Sequence, residues 1–162
     1  YNLPNALAGI AIGQHFGVKD LLIQQALEAY SPGNNRSQFV DTGRNQLVLD
    51  AYNANPTSMK AALENFAAMT SDRPKLAILG GMKELGPDSP AEHQAVVDLV
   101  QALGLEAIYV GPEFLELGPA GALTYATAEE ALNALQERPV EGRLILVKGS
   151  RGTKLEGVVP VL

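Results

Sequence analysis

Three short stretches hold most of the residues in this sequence that could do chemistry. Asp50-Ala51-Tyr52-Asn53-Ala54-Asn55 gathers a carboxylate, a phenol and two carboxamides. Asp and Asn side chains suit sugar hydroxyls and base edges, and a tyrosine ring can lie against an aromatic base. Lys148-Gly149-Ser150-Arg151-Gly152 offers two cations, a hydroxyl and two glycines. Glycines let backbone N–H groups approach an anion, and Lys148 and Arg151 would add charge-assisted hydrogen bonds, so this stretch suits a phosphate or a carboxylate. Gly80-Gly81-Met82-Lys83-Glu84-Leu85-Gly86 carries a single cation, Lys83, beside Glu84. Each stretch also has a plainer reading that stays open. Asn55 caps a helix begun by Pro56. Residues 148–152 are a tight turn with solvated cations. Lys83 and Glu84 form a surface pair worth about 0–1 kcal/mol. Capping leaves Asp50, Tyr52 and Asn53 unexplained.

The elements around these stretches say where they must lie. Pro4 suits a first helical position, and Leu7, Ile10, Ala11 and Gln14 follow as a stripe that Gly17 ends. A second helix is expected over 20–29, then a dense turn, Ser31-Pro32-Gly33-Asn34-Asn35, where the domain boundary is placed. Beyond it strands and helices alternate. Strands are expected over 46–51, 75–80, 107–111, 123–126 and 144–148, with 37–41 as an extra edge strand. Helices are expected over 56–69, where Met59, Ala62, Leu63 and Phe66 recur on one face, and from Ser89, read as a capping box with Pro90. The Ser89 helix should bury Val96, Leu99, Val100 and Leu103. Thr127 caps one more, ended by Pro139, and a short helix closes the chain. Strands apolar on both faces with helices between them imply parallel pairing with helices on both faces. The expected fold is therefore α/β, a Rossmann-like open, mostly parallel sheet. In such sheets ligands sit outside the carboxyl ends of the strands, and all three polar stretches fall at such ends.

The totals narrow the classes. The chain has 162 residues, 46% hydrophobic and 19% charged, as a globular domain with a core requires. A net charge of −6 argues against a nucleic-acid or anionic-membrane surface. There is no Cys, so this chain builds no disulfide and no thiolate metal site. No apolar run approaches the roughly 20 residues that span a bilayer. His15 and His93 lack a Cys or His partner at ligand spacing, so surface or capping roles are expected and a metal site is not. No GxSxG, HExxH or GxxxxGK[ST] motif is present, and no catalytic residue is assigned. The opening, without Met, reads as the middle of a domain, and an excised fragment is expected.

Four stretches together resemble one family. Asp50-Ala-Tyr-Asn-Ala-Asn-Pro56-Thr-Ser-Met59 is similar to the C-terminal-domain signature of the Mur ligases. Tyr1-Asn-Leu-Pro-Asn5-Ala-Leu-Ala8 resembles the HNxxNALAA segment that ends the family's central ATPase domain, with Tyr1 replacing the usual His. Gly80-Gly-Met-Lys-Glu-Leu-Gly86, with His93 beyond it, resembles GDMxELG…H, with Gly81 where the family has Asp. Val147-Lys-Gly-Ser-Arg151 resembles VKGSR. The likeness is strongest to the branch that adds D-alanyl-D-alanine to a UDP-N-acetylmuramoyl tripeptide.

The resemblance implies that residues 1–33 are the helical remnant of a central ATP-binding domain and its hinge, and that 34–162 are a C-terminal Rossmann-like domain. It implies a cytoplasmic, monomeric ligase using ATP and Mg2+, both bound mainly by the absent central domain. The chain alone would be inactive and would bind ATP weakly. Arg36 would reach the ATP phosphates or ribose. Asp50, Tyr52, Asn53 and Asn55 would lie by the nucleoside, and Asn2 and Asn5 near the adenine. Lys148, Ser150 and Arg151 would face the incoming dipeptide or an acyl phosphate, with Lys83 and Glu84 behind them. The rivals are another amide ligase of the superfamily, diaminopimelate-adding, lysine-adding or folylpolyglutamate-type, and a non-catalytic Rossmann-like binding module.

Overall fold

The computed structural model describes residues 3–30 and 36–162. Asn2 and the expected turn at 31–35 lie outside them. The chain divides into two compact units, Tyr1–Pro32 and Gly33–Leu162. The first contains helices α1 (Leu3–His15) and α2 (Asp20–Ala29). They meet where Gly13 leaves room for Ile23, whose side chain a Cβ at position 13 would touch at 2.8 Å. Ile23 is the buried residue of α2, and α1 buries none: along the stripe Ile10 is half-buried and Leu7, Ala11 and Gln14 are exposed.

In the second unit, six strands form one sheet: β1 (Gln38–Asp41), β2 (Gln46–Asp50), β3 (Lys75–Gly80), β4 (Glu106–Val110), β5 (Leu123–Tyr125) and β6 (Leu144–Lys148). Their order is β1-β2-β6-β3-β4-β5. Only the β1–β2 pair is antiparallel. Helices α3 (Pro56–Ala68), α4 (Ser89–Ala102) and α5 (Pro112–Leu117) follow β2, β3 and β4, and α6 (Ala128–Glu137) follows β5.

Alternation along the central strands builds a core on each face. Ala77, Leu79, Leu144 and Leu146 meet Met59, Leu63 and Phe66 of α3, Val97 and Val100 of α4 and Phe114 of α5. Leu76, Ile78, Ile145 and Val147 meet Ala131 and Leu135 of α6 and Leu155, Val158 and Leu162 of the tail. The path from β2 through β3 and β4 to β5 runs one way across the sheet, and the return to β6 runs back. Right-handed crossovers place helices on opposite faces for opposite directions of travel, which accounts for α6 standing alone.

Pro56 and Asn55 start α3 as expected. Asn55 Oδ1 accepts from Ser58 N at 2.8 Å, and Ser58 Oγ accepts from Asn55 N at 3.0 Å. Thr127 likewise accepts from Glu130 N at 3.1 Å. Three expectations need correction. α4 has no side-chain cap: a 3₁₀ turn, Gly86–Asp88, runs straight into it, and the Ser89 hydroxyl turns to His93 instead. Val96, Val97 and Val100 are buried on α4, whereas Leu99 and Leu103 are only partly covered. A short helix does close the chain, but it is of 3₁₀ type, over Leu155–Val161, with Pro160 inside it. Helix α5 was not expected at all. It is 6 residues long, too short to show a helical period.

Candidate functional site

The last strand inserts between β2 and β3, so the carboxyl ends of β2, β6 and β3 are adjacent and the three polar stretches share one edge. Asp50 stands opposite Lys148, and Leu79 opposite the same lysine. Lys148 donates to Asp50 Oδ2 at 2.6 Å and to Asn53 O at 3.2 Å. Its side chain is 1% exposed and that of Asp50 8%. Lys148 and Asp50 are thus turned toward each other and not outward, as their types alone had led us to expect. They lock two strand ends together. The other Asp50 oxygen, Oδ1, accepts from Ser37 N at 3.2 Å, which anchors the residue after Arg36.

Ser150 is also turned inward. Its hydroxyl donates to Gly81 O at 2.7 Å, tying the stretch after β6 to the stretch after β3. Gly80 and Gly149 lie side by side beneath Thr153 and Leu155. A Cβ on Gly149 would stand 3.0 Å from the Gly80 Cα and 2.9 Å from Leu155 Cδ1. Gly149, one of the two glycines expected to admit an anion, instead makes room for Thr153 and Leu155. Asn53 Oδ1 accepts from Ala54 N at 2.9 Å, and the Asn55 side chain is committed to α3.

What the rim leaves exposed is a cationic group on an aromatic platform. The Arg36 guanidinium carbon lies 3.9 Å from the Tyr52 ring centroid, and that of Arg151 lies 5.6 Å from the same centroid. Arg36, Tyr52 and Arg151 are all exposed. A cation over a ring face gains from the ring's quadrupole, which holds two like charges near one ring where an anion can reach both. In this arrangement Tyr52 carries arginine where a base had been expected.

Lys83 is exposed on the same edge, but its partner is not Glu84. It donates to Glu113 Oε1 of α5 at 2.5 Å. Burial alone would raise the Glu113 carboxyl. The Lys83 hydrogen bond, a backbone N–H and the Lys83 charge outweigh it and hold the group below its ordinary value. A carboxyl lowered on folding adds stability that is present above its unfolded value, about 4.3, and is lost as pH falls through the folded one. Glu113→Gln should therefore cost stability at neutral pH and almost none in acid. Urea unfolding of both forms across that range checks this, and a gap that widens in acid would contradict it. Glu84 is exposed with φ 65°, in the left-handed region.

His93 is fully buried, contrary to the surface or capping role expected of it. A backbone N–H can only donate, so Met82 N at 2.9 Å makes Nε2 the acceptor, and Nδ1 then donates to Ser89 O at 2.7 Å. The ring braces the stretch that carries Lys83 against α4. The helix period held the signal, since His93, Val96, Val97 and Val100 recur at one-face spacing. No such signal marked Glu113. Asn5 is exposed on α1, and His15 is exposed in its last turn.

Among the described residues, no three His, Asp or Glu gather as a metal site. Asp50 is tied to Lys148 and Glu113 to Lys83, so these two carboxylates are not set to hold a magnesium ion. No described helix is long and apolar enough to cross a membrane. Beside the rim, a cavity of about 460 Å³ opens between the ends of β4 and β5, the start of α6 and residues 152–157, with Lys83 and Lys154 in its wall.

A family model described as "Mur ligase, glutamate ligase domain" matches residues 35–151. The chain belongs to the Mur ligase family. Among curated Mur ligases it is 40% identical over 171 residues to the UDP-N-acetylmuramoyl-tripeptide–D-alanyl-D-alanine ligase of Treponema pallidum (strain Nichols), covering 100% of this chain and 37% of that one. It is 30% identical to the enzyme of the same name from Bacillus subtilis (strain 168), covering 98% of this chain and 37% of the relative. Among solved structures, a MurF crystal structure from Acinetobacter baumannii superposes with a TM-score of 0.82 at 30% identity, over 98% of this chain and 37% of that one. MurF of Thermotoga maritima, solved in complex with ADP, shares the fold with a TM-score of 0.75 at 22% identity, over 94% of this chain and 35% of that one. The chain thus spans little more than a third of the Mur ligases it matches.

Proposed function

We propose that this chain forms the carboxyl-terminal part of an ATP-dependent ligase that adds D-alanyl-D-alanine to a UDP-N-acetylmuramoyl tripeptide in the cytoplasm. The observation that carries the reading is the pair of exposed guanidiniums, Arg36 and Arg151, drawn from opposite ends of the second unit onto Tyr52. Such a pair is suited to a phosphate or carboxylate held against the rim by a neighbouring domain. The names of the T. pallidum and B. subtilis relatives support the choice of substrate. The ADP complex of the T. maritima protein supports the nucleotide. Leu3, Leu7, Ile12 and Phe16 of the helical unit are large, apolar and exposed, as residues that a further domain covers would be.

In the proposed reaction a carboxylate oxygen of the tripeptide attacks the γ-phosphorus of ATP, and ADP leaves. The dipeptide amine then attacks the acyl carbon of the resulting acyl phosphate. The C–N bond forms, the C–O bond to phosphate breaks, and the amine gives up a proton. Both steps concentrate negative charge on phosphoryl oxygens, which fixed guanidiniums stabilise without reorganising. Arg36 serves the nucleotide phosphates and Arg151 the acyl phosphate or the incoming carboxylate. Asp50, Lys148 and Ser150 act as the frame that holds them. Magnesium would be held by the rest of the ligase.

The test is phosphate release by the complete ligase with ATP, the UDP-linked tripeptide and D-alanyl-D-alanine, beside lysine, diaminopimelate and glutamate as rival acceptors. Turnover with a rival and none with the dipeptide overturns the reading. In the active enzyme, Arg36→Ala and Arg151→Ala should each lower kcat/KM about 10- to 100-fold, the loss expected for a charge-assisted hydrogen bond. The double variant should lose less than the product of the two, because both serve one cluster of charge.

A further inference from the structure

The surroundings of the Glu113 carboxylate are built around it from three sides. Oε1 takes the Lys83 ammonium. Oε2 is buried with no hydrogen-bond partner, a condition that native side chains seldom keep without a reason. Two glycines make the room. A Cβ on Gly81 would overlap Oε2 and stand 3.0 Å from Cδ. A Cβ on Gly111 would stand 2.8 Å from Oε2, and Gly111 has φ 129°, which side chains rarely adopt. The carboxylate of one element thus occupies the volume that a side chain at position 81, on another, would fill.

Lys83 is held at a junction. Its stem lies 3.8 Å from where a Cβ of Gly152 would be, next to Arg151, and its side chain lines the cavity beside the rim. A free lysine on a surface loop samples many rotamers. One end-on carboxylate restricts it to the few that keep the ammonium at that junction.

We propose that Glu113 is a positioning residue that reaches across from α5, takes the place of a side chain at position 81, and holds Lys83 at the rim to meet the negative charge of the ligase reaction. Its role in catalysis rests on the ligase reading above. Its geometry does not. Placing a carboxylate at position 81 while removing it from 113 should therefore restore what Glu113 supplies.

Two experiments decide the matter. In the complete ligase, Glu113→Ala and Lys83→Met should each lower kcat about 10- to 100-fold at a temperature where both variants remain folded, the scale of a misplaced catalytic contact. Gly81→Asp combined with Glu113→Ala should recover most of the loss, whereas Gly81→Asp alone should not, since two carboxylates cannot share the space. A stability defect alone would not follow that pattern. Glu113→Ala or Lys83→Met within twofold of the parent kcat, or no recovery in the double variant, overturns the proposal. In the 162-residue chain, nitrogen-detected NMR of the lysine ammonium groups should show the Lys83 signal protected from exchange, lost in Glu113→Ala and regained in the double variant. An unprotected Lys83 in the parent overturns the geometry. An unmutated ligase that turns over no acceptor would count against the ligase reading, and the NMR result would still decide the placement of Lys83.

Discussion

Lys148→Met should destabilise the second unit by about 3–5 kcal/mol, the cost of leaving a buried charge without its partner. The Lys148 ammonium sits 2.6 Å from Asp50 Oδ2 with its side chain 1% exposed, so solvent cannot replace the lost cation. Asp50→Leu should cost a similar amount, because it strands the ammonium and also frees Ser37 N from its acceptor. Combining the two should recover most of the loss, since two apolar side chains of like volume in a buried place often match an ion pair. Ser37 N remains unpaired in the double variant, so about 1 kcal/mol should stay missing. Urea unfolding of the four forms gives the cycle directly. A single-variant cost below about 1 kcal/mol would mean that water reaches the pair. The pair also bears on the site. Ser37 follows Arg36, so loosening Asp50 should loosen the guanidinium stacked on Tyr52.

Asn45→Ala should cost about 3 kcal/mol or more at the opposite edge of the sheet, where no ligand is expected. Asn45 is fully buried and makes three side-chain bonds to two other segments. Its Nδ2 donates to Val140 O at 2.7 Å and to Leu162 O at 2.5 Å, and its Oδ1 accepts from Arg143 N at 3.0 Å. It thereby ties the β1–β2 turn to the end of the α6–β6 connection and to the last residue of the tail. Alanine leaves Arg143 N and Val140 O without these partners and opens a small void. Asn45→Asp keeps the acceptor for Arg143 but aims a carboxylate at two carbonyl oxygens. Its deficit should match or exceed that of alanine at neutral pH and shrink as pH falls, because protonation removes the buried charge and restores one donor. Thermal unfolding at neutral and acidic pH separates the two variants. Equal deficits for Asn45→Asp at both would contradict the bonding described.

Much of the site was legible because its signals are local. Pro56 and Asn55 start α3 wherever the helix lies, and a strand that runs out into polar residues marks a carboxyl end in any parallel sheet. The same alternation carried a warning about Lys148. It shares a strand face with Leu144 and Leu146, both buried against α3, so its ammonium starts on a covered face. Its charge had drawn attention toward the solvent. Asn45 was overlooked for the converse reason. A lone Asn in a turn looks like turn chemistry, and nothing near it announces partners at positions 140, 143 and 162.

The sequence by itself determined the run of strands and helices, the parallel α/β class and the edge on which the polar stretches lie. Hydrophobic period, proline and capping residues act over a few neighbouring positions, so they can be read without knowing the fold. Only the tertiary structure decided which of those polar groups face inward. Placing β6 between β2 and β3 set Lys148 against Asp50, brought Arg36 and Arg151 to one tyrosine, and left Lys83 to a glutamate on an unforeseen helix. Those are pairings across long stretches of chain. They depend on which strand lies beside which, and no local pattern of residues encodes that.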